Sequence, residues 1–238
     1  MRLDKVIEQN LQTTRKEMKR LFLMKKVFVD GAVEYDPQRN VDSQLHKITV
    51  DGKNLLTNHV YYLLNKPAGV VTAKKDSQFQ TVTELVAKAQ RPAGLYPVGR
   101  LDRDTTGLLL LTDNGQLGYD LLQPYSQVTK TYHAVINEQV TLEDKKAFET
   151  GIVFHGGIRC QPAQLNILRA ESGYSEVLLT ISEGKFHQVK KMFLACGKKV
   201  TSLTRLAMGP LRLPEELAEG DYRALTLEEL QRLKTYFR

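Results

Sequence analysis

Hydrophobic and polar positions follow a helical rhythm at both ends of this chain and a strand rhythm through much of its middle. Leu3, Val6, Ile7 and Leu11 recur at helical spacing and predict a first amphipathic helix. Thr14 with Glu17 three residues later has the pattern of a capping box. The helix it opens reads Arg15-Lys16-Glu17-Met18-Lys19-Arg20-Leu21-Phe22, with Met18, Leu21 and Phe22 available to a core. Short extended segments follow: Val27–Val29, a turn at Asp30-Gly31, Ala32–Glu34, and Lys47–Val50 before Asp51-Gly52. Residues 55–60 read as a short joint, so this small unit is expected to be tethered rather than tightly fixed.

Beyond the joint, Tyr61 to Leu64 is an apolar strand that runs into a turn at Lys66-Pro67-Ala68-Gly69. Lys74–Gln80 is a polar loop. Thr81–Lys88 is expected to be a helix with Val82, Leu85 and Val86 inward, broken by Arg91-Pro92. Four consecutive leucines, Leu108–Leu111, lie between Gly107 and the turn signal Asn114-Gly115, which predicts a strand at the centre of a sheet. A helix through Leu121-Leu122 ends near Pro124. Val128–Ile136 alternates as a strand. Glu143–Gly151 is a helix with Ala147 and Phe148 inward, and strands are expected at Ile152–Phe154, Ala163–Leu168 and Glu176–Ile181. A last helix, Thr226–Lys234, turns Leu227, Leu230 and Leu233 inward, with Glu228-Glu229 suited to its first turn. Strands and helices in this order give an α+β class with a mixed, mostly antiparallel sheet flanked by helices.

The totals narrow the class of protein. The 238 residues suffice for one large domain or two unequal ones. There is no apolar run of about 18 residues, so no membrane span is expected. The start, MRLDKVIEQN, lacks the apolar centre of a signal peptide. Cys160 and Cys196 have neither metal-ligand spacing nor disulfide density, which points to reduced thiols in a cytoplasmic protein. His46, His59, His133, His155 and His187 form no ligand motif, so no metal is expected. A net charge of +7 directs attention to a polyanion, with nucleic acid first.

The candidate chemistry lies just before the leucine strand, in Gly99-Arg100-Leu101-Asp102-Arg103-Asp104-Thr105-Thr106. By spacing alone, a loop alternating Arg and Asp is a solvated turn tied by weak ion pairs. Its place at the mouth of an apolar strand instead puts ionisable groups at the edge of a core. The whole stretch, G-R-L-D-x-x-T-x-G-L-L-L-L-T, closely resembles the catalytic signature of the pseudouridine synthases, in the branch that modifies ribosomal RNA and carries an N-terminal S4 domain. N-K-P-x-G-V-V at Asn65–Val71, K-T-Y at Lys130–Tyr132, E-G-K-x-H-Q-V-K-K-M at Glu183–Met192 and the ending G-D-Y-R-A-L-T-x-E-E-L resemble further elements of that family. The resemblance covers almost the whole chain.

It implies an S4 RNA-binding domain at 1–57 and a catalytic domain at 60–238. Asp102 would be the catalytic acid, Tyr132 would stack on the uracil and assist proton loss, and Lys190 would pair with the acid. Arg100 would help to hold the flipped nucleotide, and Leu101 and Val189 would line the pocket. Arg2, Arg15, Lys16, Lys19, Arg20 and Lys26 would meet RNA phosphates. Lys66 reads equally as a phosphate contact or a plain surface lysine. His187 reads as structural rather than as a base. Lys25 stands where the family has a glycine, so that turn is expected to differ.

The implied activity is isomerisation of uridine to pseudouridine in 16S ribosomal RNA within a partly assembled small subunit, by a cytoplasmic monomer needing no cofactor. Asp102 could stabilise charge at C1′, bond to it, or take the 2′ proton. A 23S target, a non-catalytic ribosome-associated RNA-binding protein, and a hydrolase using Asp102 and Asp104 remain alternatives.

Overall fold

The computed structural model describes residues 1–154 and 156–237; of the histidines considered above, His155 lies outside the described residues. The N-terminal part holds helices α1 (Leu3–Leu11) and α2 (Arg15–Leu23) and strands β1 (Val27–Val29), β2 (Ala32–Val33), β3 (Ile48–Val50) and β4 (Lys53–Asn54), the strands ordered β2-β1-β3-β4. Leu3, Val6 and Ile7 are wholly buried against Val27, Val29, Ile48 and Val50. The capping box forms as the sequence predicts: the Glu17 amide donates to Thr14 Oγ1 and the Thr14 amide donates to Glu17 Oε2 at 2.8 Å.

The turn after α2 keeps its left-handed shape without a glycine. Lys25 has φ +55°. The amide of Lys26 reaches back to the Leu21 carbonyl at 3.0 Å, a helix-closing bond that needs such a residue. The expectation of a different turn is therefore corrected: Lys25 takes the conformation and bears its steric cost, about 1 kcal/mol.

The larger part follows in the order β5 (Tyr61–Lys66), β6 (Tyr96–Val98), β7 (Thr106–Thr112), α3 (Gly115–Leu122), β8 (Lys130–Ile136), α4 (Leu142–Thr150), β9 (Gln164–Glu171), β10 (Tyr174–Ile181), α5 (Gln188–Ala195), β11 (Val200–Met208), β12 (Leu211–Arg212), β13 (Tyr222–Ala224) and α6 (Leu227–Leu233). Among the described residues these strands make a nine-stranded sheet with the path β13-β5-β7-β11-β8-β10-β9, while β6 pairs with β7 and β12 with β11. The pair β7–β11 is parallel and the others are antiparallel, which gives the mixed sheet the sequence implies.

The four leucines are explained by burial on both faces. Successive side chains of a strand point to opposite sides. Leu109 and Leu111 join the cluster that holds Val82, Phe148 and Phe193, whereas Leu108 and Leu110 pack with Leu117, Leu121, Leu230 and Leu233. A strand covered on both sides has no polar alternation to show.

Three expected elements differ. Thr81–Lys88 forms turns rather than an α-helix, although Val82 and Val86 are buried as expected. Thr81 bridges to Val71, and the Val82 amide donates to the Val71 carbonyl at 3.0 Å, so the segment starts extended. Ile152–Phe154 contributes only an isolated bridge, Val153 to Arg159, because the chain doubles back at Gly156-Gly157, both with positive φ. In α6, Leu230 and Leu233 are buried but Leu227 is 70% exposed, since it occupies the first helical position, ahead of the buried face.

The N-terminal part is docked, contrary to the loose tether expected of residues 55–60. Asp42 is wholly buried and accepts from Tyr61 Oη at 2.5 Å, Asn114 Nδ2 at 3.0 Å and Thr57 Oγ1 at 2.9 Å. Leu45 packs into the cluster formed by α3, α6 and the leucine strand. Lys234 pairs with Asp30 at 2.7 Å. Tyr61 is the centre of this junction: it donates to Asp42 and accepts from Asn114 Nδ2 at 2.7 Å. Burial and the Asp42 carboxylate both push its phenol far above the ordinary range, so it stays a donor at every working pH. Tyr61→Phe removes one donor from the buried Asp42 carboxylate, which keeps Asn114 and Thr57, and one acceptor from the Asn114 amide. It is expected to cost about 1–3 kcal/mol, read as a lower denaturant midpoint.

Candidate active site

A cavity of about 470 Å³ opens where the loop before β7, the strands β8 and β11, and the start of α5 meet. Its walls include Arg100, Leu101, Asp102, Tyr132, Val189 and Lys190, so all six catalytic and substrate-contact residues expected from the sequence converge on one site.

The Asp102 loop is fixed by backbone chemistry. Gly107, at its end, has φ +101° and lies against Arg205 of β11, its parallel partner in register. A Cβ at 107 would stand 2.3 Å from the Arg205 carbonyl oxygen, so only glycine lets the two strands approach. Thr72 Oγ1 donates to the Leu101 carbonyl at 2.7 Å, the Gly69 amide donates to the Arg103 carbonyl at 2.8 Å, and the Thr105 amide closes on the Asp102 carbonyl at 3.1 Å.

Beneath the loop lies Lys66. The sequence offers a phosphate contact or a surface lysine, and it is neither: the side chain is wholly buried. Its ammonium donates to the carbonyls of Pro67 at 2.9 Å, Arg103 at 3.2 Å and Thr105 at 2.9 Å. Burial lowers its pKa to about 8, against the opposing pull of the Asp104, Asp102 and Glu219 carboxylates.

Across the cavity, α5 begins at a buried side chain. Gln188 accepts from the Lys185 amide at 2.8 Å and donates to Glu183 Oε1 at 2.7 Å, which sets the first turn of the helix. Lys190 then reaches Asp102 Oδ2 at 3.2 Å and Asp104 Oδ1 at 2.6 Å. The expected pair with Asp102 is present, and Asp104 is a second partner that spacing does not reveal. Burial pulls the Lys190 ammonium down, but its hydrogen bonds to Asp104 and Asp102 outweigh this and leave it raised. The bond to Lys190 holds the Asp104 carboxyl below the usual range, against its partial burial. His187, with φ +54°, places Nε2 3.5 Å from Asp102 Oδ1 and stacks on Phe186 with 3.7 Å between ring centroids.

Tyr132 is 7% exposed, packed in the core while lining the cavity. In the sheet it lies between Leu179 of β10 and Arg205 of β11. Three further wall residues have no role in the sequence reading, although Thr105 and Lys130 stand inside its motifs and only Arg205 lies outside them. Thr105 is buried and its Oγ1 has no partner. Lys130, which donates to the Val128 carbonyl at 3.1 Å, is pulled down by burial and then by the Arg205 charge. Arg205 is 1% exposed; Nε donates to the Leu108 carbonyl at 2.7 Å, and Nη2 has no partner.

The cations expected to meet RNA in the N-terminal part are not equally free. Arg15, Lys16, Lys19 and Arg20 stand exposed on α2, and among the described residues none is held in an ion pair. Arg2 is paired with Asp4 at 2.6 Å and Lys26 with Asp51 at 2.7 Å.

Residues 60–195 match the model of a family described as RNA pseudouridylate synthase. The chain is 42% identical to an uncharacterized RNA pseudouridine synthase of Bacillus subtilis (strain 168), over 98% of each chain. The chain belongs to the RNA pseudouridylate synthase family. It is also 39% identical to the ribosomal small subunit pseudouridine synthase A of Vibrio cholerae, over 97% of this chain and 98% of that one. A crystal structure of a pseudouridylate synthase superposes with TM-score 0.69 at 35% identity, covering 98% of this chain and 99% of the other. Asp102, the residue that the signature marks in this synthase, therefore sits in the wall of the cavity where the signature elements meet, paired to Lys190 of α5.

Proposed function

We propose that this synthase isomerises a specific uridine to pseudouridine in 16S ribosomal RNA within a partly assembled small subunit. The observation that carries the reading is the convergence of Asp102, Lys190 and Tyr132 on one open cavity of about 470 Å³, roomy enough for a flipped nucleotide. The reaction breaks N1–C1′, turns the uracil, joins C5 to C1′, releases the C5 proton and protonates N1. Asp102 faces the electron-deficient C1′, and Lys190 orients it and balances its charge. Tyr132 stacks on the uracil and takes part in loss of the C5 proton. Leu101 and Val189 exclude water, and the exposed Arg100 holds the nucleotide out of its stack. The small-subunit names of relatives such as the Vibrio cholerae protein support the 16S address.

Residues 1–57 act in this reading as an S4 RNA-binding domain and 60–238 as the catalytic domain of a cytoplasmic monomer. Among the described residues no helix is long and apolar enough to cross a membrane. The exposed cations of α2 carry phosphate contact; Arg2 and Lys26, already paired, contribute less. Replacing Lys16, Lys19 and Arg20 by Gln is expected to weaken RNA binding and to flatten its dependence on log salt by about 0.9 for each phosphate no longer neutralised. Filter binding between 50 and 200 mM salt, roughly the range over which such neutralisation is read, checks this.

The activity itself is tested by tritium release from 5-³H-uridine-labelled, unmodified 16S and 23S RNA, free and as assembling subunits. Release from 16S substrates alone is expected. Release from 23S alone would move the address, and no release from any substrate would leave an RNA-binding protein.

A further inference from the structure

Arg205 and Thr105 stand out because the fold leaves both incomplete. Arg205 is almost wholly buried, and one nitrogen of its guanidinium is spent on the Leu108 carbonyl. Its Nη2 bonds to nothing, and among the described residues the side chain forms no ion pair. Its near neighbour Lys130 is a second cation, so the charge beside it adds to the imbalance rather than relieving it. Thr105 is 1% exposed and its hydroxyl also lacks a partner. Both residues line the cavity that holds Asp102, and the Thr105 amide closes the Asp102 turn. Buried polar groups are normally satisfied, and buried cations are normally paired. Two exceptions in one cavity call for a ligand that supplies hydrogen-bond acceptors and negative charge.

We propose that Arg205 and Thr105 form the end of the cavity that recognises the uracil ring, with Arg205 donating to a uracil carbonyl oxygen and stabilising the ring as it departs. The proposal rests on the isomerase reading above. When N1–C1′ breaks, the bonding pair goes to the uracil, whose negative charge spreads over N1 and the carbonyl oxygens, while the electron deficiency stays at C1′ beside Asp102. A guanidinium fixed by its Nε bond meets that charge without reorganising. When C5 gives its electron pair to C1′ the ring is neutral again; the C5 proton then leaves and N1 takes one up, so the contact weakens. Thr105 holds the polar edge of the same ring and fixes its position relative to Asp102. Arg205 thereby touches the reacting base from the side opposite to the acid's role at the sugar.

The test uses the full chain and a 16S transcript carrying uridine, 2-thiouridine or 4-thiouridine at the modified position, with pseudouridine detected by carbodiimide adducts. Thr105→Val keeps the shape and breaks no hydrogen bond within the protein, so its melting temperature and RNA affinity are expected to stay unchanged. Its kcat/KM on uridine is expected to fall about ten- to a hundredfold. Arg205→Lys is expected to fall further, by about 10²–10³-fold in kcat, as for loss of a donor to a developing oxyanion. Sulfur accepts hydrogen bonds poorly, so one thio substrate should slow the wild type and add little further loss in Arg205→Lys. Where Arg205→Lys fails to fold, Thr105→Val decides by itself. Wild-type kcat/KM in Thr105→Val, or a thio penalty unchanged in a folded Arg205→Lys, overturns the proposal while leaving the isomerase reading in place. Absence of turnover by the wild type on every ribosomal RNA removes the reading itself, and the proposal with it.

Discussion

Asp102→Asn is expected to abolish turnover while leaving the fold and RNA affinity close to those of the wild type. The substitution keeps the side-chain shape and removes the charge. Stability changes little because the Asp102 carboxylate is 27% exposed and its partner Lys190 retains Asp104 at 2.6 Å. An ion pair this close to solvent contributes about 0–1 kcal/mol. Chemistry is a different matter. An amide cannot bond covalently to C1′ as a carboxylate does, cannot balance its charge and cannot take a proton. Every role open to Asp102 is lost together, and the rate should fall by at least about 10³-fold, within or beyond the range assigned to acid–base catalysis. Asp104→Asn is the matched control. Its side chain is 73% exposed, it bonds the same lysine, and it lies outside the cavity wall, so a loss of less than about tenfold is expected. Tritium release and denaturant melts on both variants give the comparison. If Asp102→Asn kept more than about a tenth of the wild-type rate, well short of the loss expected for a catalytic group, the acid would not be the catalyst.

The principal residues of this site are legible through the family signature, since by spacing alone the Asp102 loop reads as a solvated turn. Asp102 and Gly107 sit at fixed short spacings because the loop must turn tightly into β7, and Gly107 must leave room for the Arg205 backbone. The capping box at Thr14 and the helix spacing of Leu3, Val6 and Ile7 are legible because they depend on residues only three or four apart. What the sequence hides are interactions made over long separations. Lys66 looks like any lysine next to a turn until β5 and β7 pair and bring the Arg103 and Thr105 carbonyls over it from 37 and 39 residues away. Arg205 carries no signal in the sequence; its Nε bond goes to the Leu108 carbonyl, 97 residues distant. Thr81–Lys88 is misread for the same reason: its inward positions are right, but the bridge from Thr81 to Val71 sets a backbone that local spacing cannot show.

Lys66→Met is expected to damage both stability and catalysis, although the residue never meets substrate. Methionine matches the length and suits a buried site, so the loss is chiefly electrostatic. Two effects oppose each other. Removing a buried cation relieves a desolvation cost, and such replacements can be neutral when the partners leave as well. Here the partners remain: the carbonyls of Pro67 and Thr105 lose the ammonium and that of Arg103 keeps only the Gly69 amide, and a stranded buried carbonyl costs about 1–3 kcal/mol. The second effect should win, with a net loss of about 2–4 kcal/mol at neutral pH. The two outer carbonyls belong to the loop that carries Asp102, so its position loosens too, and a displacement of about 1 Å is enough to cost about 10²-fold in kcat. The sign of the pH dependence follows from the lowered pKa. Lys66 titrates near 8 in the folded chain and at its ordinary value of 10.5 once unfolded. Between these values the unfolded chain binds more protons, so this group makes the wild type more stable as pH rises, whereas below about 8 it adds no slope. Denaturant melts from pH 7 to about 9, below the range where unfolded tyrosines ionise, should therefore show the gap between wild type and Lys66→Met widening above pH 8. Parallel curves across that window would mean that burial does not lower the Lys66 pKa in the folded chain.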